Sequence, residues 1–254
     1  MTIGFDLVAM VTVFLVALRV GPLFVLAPVF GAATIPLRVR IALALGLALL
    51  LAAAVEPKAG GLALNPGALM AAAATELVLG VALAFGMFAA FGAFLFGGRI
   101  LDIQIGFGIA SVIDPATRTQ SPLLGTALNL LAVVVFFAVD AHHALVRALA
   151  WSLQHLPPGA SIANLDPTAI SAQFGVMFAY GLVLVAPAVF ALLLLDVALA
   201  VVARTMPQMN IFIVAMPLKV VVGLLVLALT VRHMLPVMTR VFDSVPRYWE
   251  RLLV

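Results

Sequence analysis

Four charges lie inside long apolar runs of this sequence, and chemistry has to be sought there first: Arg19, Glu76, Asp196 and Lys219. A charge in hydrocarbon is expected to cost roughly 2.5 kcal/mol or more, and a partner within a helix bundle is the usual remedy. Asp196 stands eleven residues before Pro207 and Lys219 twelve residues after it. A turn centred on Pro207 would bring the two to nearly the same depth of an antiparallel hairpin, as a buried ion pair. The competing reading, that each charge snorkels or meets another subunit, stands equally. Arg19 and Glu76 either line a proton or ion path, or form a structural pair or a contact to a partner chain. The second reading is preferred, because no ladder of ionisable groups accompanies them.

His142-His143 beside Asp140 offers groups able to ligate a metal or relay a proton. Adjacent helical residues point to different faces, so an interfacial polar pair just beyond a hydrophobic run is preferred, and neither metal nor cofactor is expected. The sequence has no His-Glu-x-x-His, no Walker-type Gly-Lys-Thr or Gly-Lys-Ser, and no Gly-x-Ser-x-Gly. Gly106-x-Gly108 lacks the third glycine of a dinucleotide site and follows no strand. With no cysteine in the chain, disulfides and thiolate chemistry drop out. This inventory predicts a protein that is not an enzyme.

The elements that must position these residues are apolar almost throughout. Of 254 residues 66% are hydrophobic and 9% charged, and the mean hydropathy is +1.30; a soluble domain carries about 25% charged residues. The prediction is an all-α, integral membrane-type protein forming one domain over residues 1–254, with no soluble domain. The net charge of +3 comes from scattered Lys and Arg without interleaved aromatics, which excludes nucleic acid as a partner. The N-terminus is not read as a cleavable signal, because its first charge is Asp6 and not a basic residue and the apolar run from Leu7 is too long for a signal core.

Six apolar runs follow one another: 7–30, 41–55, 68–98, 123–139, 174–203 and 211–231. Few make regular spans. The first contains Gly21-Pro22 and Pro28, so a broken helix is expected. The second reaches only about 22 Å against a hydrocarbon core of about 30 Å, and the third is too long for one upright span. With six crossings, Arg38, Arg40, Arg99, Arg118 and Arg204 would share one side, and Lys58, Arg147, Arg232, Arg240, Arg247 and Arg251 the other. Five against six sets no orientation. Uneven lengths and internal prolines favour hairpins buried against other subunits.

Two connections carry further expectations. Met206-Pro207-Gln208-Met209-Asn210 reads as a hairpin tip, since Pro207 cannot donate a helical hydrogen bond and Asn210 caps the helix that follows; the tip is expected to meet other subunits. The segment from Arg99 to Pro122 is polar at its ends but reads Gly106-Phe107-Gly108-Ile109-Ala110-Ser111-Val112-Ile113-Asp114-Pro115 in its middle. Apolar side chains on irregular backbone call for burial inside protein or in a lumen. The tail from Arg240, with Tyr248 and Trp249, suits an interfacial anchor or a docking peptide.

These residues together resemble the FliR family of flagellar biosynthetic proteins, whose virulence-secretion relatives are called SctT. The resemblance rests on Arg19-x-Gly21-Pro22 with Pro28, Pro36 and Arg40; on Glu76-x-x-x-Gly80; on Gly98-Arg99-x-x-Asp102-x-Gln104-x-Gly106-Phe107 through Asp114-Pro115; and on Asp196 through Arg204-x-x-Pro207-Gln208-Met209-Asn210-x-Phe212 to Pro217-x-Lys219. It implies a structural, pore-forming subunit of the type III export gate in the bacterial inner membrane and flagellar basal body. The implied partners are FliP, FliQ and FlhB type subunits, exported unfolded proteins and membrane lipid. It also implies a plug at Gly106, Phe107, Ile109, Val112 and Ile113. An injectisome gate is the alternative; a secondary transporter is the reading from another class, against which the lack of an inverted repeat speaks.

Overall fold

Backbone groups in runs this apolar must bond within their own segment, and the helix is the way a single segment does so. Residues 7–31, 35–54, 65–107, 122–161, 165–206 and 210–253 are described by the structure, a computed structural model of the chain, and no strand occurs among them. In chain order the helices are α1 (Leu7–Leu26), α2 (Pro28–Gly31), α3 (Leu37–Ala53), α4 (Pro66–Ile105), α5 (Leu123–Ala138), α6 (Ala141–His155), α7 (Pro167–Thr205) and α8 (Ile211–Leu253).

The six runs make fewer than six candidate spans. Among the described residues four helices are long and apolar enough to cross a membrane: α1, α4, α7 and the part of α8 from Ile213; α5 and α6, bent by 70° at their junction, pass together as a fifth. The break after α1 falls where Pro28 was expected to place it, while Pro22 stays inside the helix. At 17 residues α3 is below spanning length.

Two expectations are corrected. The stretch from Arg99 to Ile105, read as the start of an irregular connection, is the last part of α4. Arg99 and Ile103 face outward while Asp102 is buried with hydrogen-bond partners, so its polarity does not break the helix. The C-terminal tail is neither a free interfacial anchor nor a loose docking peptide. It is the end of a 43-residue helix, and its aromatics are buried against this same chain, Tyr248 3% and Trp249 0% exposed.

The chain divides into two compact units, to both of which α4, α7 and α8 contribute: Met1–Ala90, Asp140–Phe174 and Phe242–Val254 form one, and Phe91–Val139 and Gly175–Val241 the other. In the first, α1 packs on α3, and Val11, Leu15 and Ala72 join α1 to α4. Leu145, Leu149 and Leu153 line the inner stripe of α6 at helical spacing. In the second, Phe91 of α4 meets Phe136 of α5 edge to face at 5.9 Å. Each such side chain, fully buried, contributes about 1.5–3 kcal/mol.

Candidate functional site

Few polar groups are buried among the described residues, Thr12 and Gln173 among them, and charged side chains link helices at three places, Arg19–Glu76, Asp102 and Asp196–Lys219. The first begins with Pro22, which removes the amide that would bond the carbonyl of Leu18. That opened turn of α1 lies against Gly80 of α4, where a Cβ would stand 2.5 Å from the carbonyl oxygen of Arg19 and 2.9 Å from that of Leu18. Only a glycine permits this approach. One turn earlier on the same face stands Glu76, and the approach puts Arg19 directly over it.

Arg19 and Glu76 form a two-pronged ion pair, Nε to Oε2 at 2.7 Å and Nη2 to Oε1 at 2.9 Å. The guanidinium also donates through Nη1 to the carbonyl of Ser152 at 3.0 Å, and the carboxylate accepts the amide of Gly159 at 2.9 Å. Both residues are enclosed, 1% and 2% exposed. Buried charges persist only when paired with good geometry and supported by further hydrogen bonds, and here each partner has one such bond besides the pair itself. It joins α1, α4, α6 and the turn after α6. Of the two sequence readings of these residues, the arrangement is that of a structural pair.

Tyr248 and Trp249 close the same unit. The phenol donates to the carbonyl of Ala82 at 2.8 Å and the indole to that of Leu83 at 3.0 Å. Gly86 makes the room, since a Cβ there would stand 2.6 Å from the Tyr248 ring. Beside them the amide of Asp166 donates to the carbonyl of Leu252 at 3.1 Å, which ties the end of α8 to the start of α7. The Asp166 carboxylate accepts the amide and hydroxyl of Thr168 at 2.9 and 2.7 Å. The hydroxyl first, then the amide, holds this carboxyl below its ordinary range.

The second place is Asp102, 3% exposed. Helix α5 starts after Pro122 with no side-chain cap of its own; the Asp102 carboxylate caps it from α4, accepting the amides of Leu124 at 3.0 Å and Gly125 at 3.3 Å. Gly98 and Gly125 permit it, because a Cβ on Gly98 would stand 2.3 Å from the Gly125 Cα. Four residues after Asp102, Gly106 ends α4 in the left-handed region, φ 97°, with its amide on the carbonyls of Asp102 and Ile103 at 3.2 Å. Gly106 and the half-buried Phe107 therefore belong to a helix end. Ile109, Val112 and Ile113 lie outside the described residues.

The third place is the α7–α8 hairpin. Lys219 Nζ lies 2.5 Å from Asp196 Oδ1, with side chains 23% and 37% exposed. The structure brings these two residues together, but half-enclosed and not buried. At the tip, Met206 is exposed and its amide bonds the carbonyl of Val202, and the carbonyl of Asn210 accepts the amide of Ile213. Pro207, Gln208 and Met209 lie outside the described residues.

Asp102, Ser152, Tyr248 and Trp249 carry contacts that reading the sequence did not assign. The glycines spaced along α4 were a usable signal for close approach; nothing in the sequence names the partner of each.

The chain was compared with known proteins. The profile of the bacterial export proteins, family 1, matches residues 10–245. The flagellar biosynthetic protein FliR of Bacillus subtilis is 33% identical over 94% of this chain and 93% of its own length. The FliR of Escherichia coli is 29% identical, covering 90% and 87%, and the Yop proteins translocation protein T of Yersinia pestis 30% identical, covering 63% and 62%.

Proposed function

The chain belongs to the FliR family of bacterial export proteins, and from that premise we propose that it is a structural, pore-forming subunit of the flagellar type III export gate. In this reading it acts as one domain, assembles with FliP and FliQ, meets FlhB, and passes unfolded flagellar proteins across the bacterial inner membrane without catalysing a reaction. The observation that carries it is a likeness extending over nearly the whole chain. The flagellar use is preferred to the injectisome because the FliR proteins align over more of the chain than the Yersinia protein does.

The outer surface supports a subunit role. Leu193, Leu194, Val197 and Val201 of α7 and Ile213, Val221, Leu225 and Leu229 of α8 are all more than half exposed. Helices so apolar on the outside require lipid or other apolar helices against them. The hairpin tip from Met206 to Asn210 is proposed as a subunit contact, and Gly106, Phe107, Ile109, Val112 and Ile113 as the plug. Copurification from detergent tests the whole reading: a complex containing FliP and FliQ is expected, and a homodimer that binds a small solute would make this a transporter instead.

A further inference from the structure

Asp140 begins α6 in an unusual way. An aspartate at this position ordinarily turns its carboxylate onto the first free amides of the helix. Here the backbone is left-handed, φ 55° and ψ 25°, and the side chain makes no cap bond; the carbonyl of Asp140 accepts the amides of His143 and Ala144 instead. The carboxylate faces the two imidazoles. Asp140 Oδ1 lies 3.3 Å from His143 Nδ1 and 4.0 Å from His142 Nε2. The rings lie together, centroids 4.1 Å apart and planes tilted by 37°. The expectation that neighbouring histidines diverge therefore fails in this first helical turn.

We infer that Asp140, His142 and His143 form a binding site for a divalent cation of the zinc class, with two imidazole nitrogens and one carboxylate oxygen as ligands. Zinc takes nitrogen and oxygen at about 2.0–2.2 Å, so two ligands of a tetrahedral ion stand about 3.4 Å apart. One separation already matches, and all three donor atoms lie within 4.8 Å of one another. Rotating exposed side chains closes the difference, since Asp140 and His143 are 71% and 66% exposed. The donor set selects zinc over magnesium or calcium, which require oxygen ligands. Outward exposure leaves the remaining coordination positions open to water or another donor.

The test uses the full chain, purified in detergent through a tag free of histidine. Zn2+ is titrated against a chromophoric chelator, and Co2+ is followed by its visible absorption. One equivalent of Zn2+ per chain is expected. Asp140→Asn and His143→Gln should each weaken binding at least about tenfold, and the triple variant with His142→Gln should abolish both it and the Co2+ band. His155→Gln with His233→Gln should change neither. The triple variant is accepted only if it elutes from size exclusion as the parent does, as the exposure of Asp140 and His143 leads one to expect. No stoichiometric binding by the parent, or unchanged binding by the folded triple variant, overturns the site.

Discussion

Arg19 and Glu76 show how much a single buried residue decides when its neighbours are apolar. Removing one member of a buried pair leaves an unpaired charge and costs about 3–5 kcal/mol, whereas replacing both can be nearly neutral. Arg19→Leu and Glu76→Leu should each lower the melting temperature in detergent sharply. The double variant should recover most of the loss but not all, because the amide of Gly159 loses its acceptor at about 1–3 kcal/mol, while the carbonyl of Ser152 keeps the amide of Leu156. Strict additivity in this cycle would mean that the two charges act independently. Asp196 and Lys219 call for a milder test, since they are half-exposed within the chain. Asp196→Lys should impair assembly and motility, and Asp196→Lys with Lys219→Asp should restore them; a double variant no better than either single one would dissociate the contact from function.

At the scale of elements, α4 is the helix that others approach, and its glycines govern how closely. Gly80→Ala would drive a methyl into the backbone of α1, an overpacking that costs about 1–3 kcal/mol and should show as a lower melting temperature. Gly46→Ala makes the control, as nothing lies within 4 Å of its Cβ position. The start of α7 responds to acid in a definite direction. Asp166 has a carboxyl held below its ordinary value in the folded chain, so its capping contribution is complete above the unfolded value and is lost as pH falls through the lower folded one. Amide exchange at Thr168, corrected for intrinsic rates, should show less protection near about pH 2 than about pH 5, and Asp166→Asn should flatten that difference.

For the whole molecule, the proposed function would cover the exposed apolar faces of α7 and α8 with other subunits and set the proposed plug across an assembled gate. Deleting residues 106–112 should let small ions or solutes leak through cells expressing the complete complex, as read by conductance or dye uptake. Unchanged permeability would remove the plug from the proposal while leaving copurification with FliP and FliQ to judge the subunit role separately.

The helical, membrane-type class of this protein was legible in the sequence because it follows from composition and run length: backbone in an apolar environment has one local solution, and scattered charges demand partners. The antiparallel counting from Pro207 sets Asp196 and Lys219 at nearly the same depth, and in the structure they lie side by side but half-enclosed. What tertiary structure alone decided was which partner each polar group takes when the partner is distant in the chain. Glu76 reaches Arg19 across fifty-seven positions and Trp249 reaches Leu83 across 166, and no local pattern encodes such a separation. Asp102 looked like the polarity of a connection until the free amides of α5 were seen above it. The two histidines looked divergent by helical geometry until the left-handed turn at Asp140 drew them together.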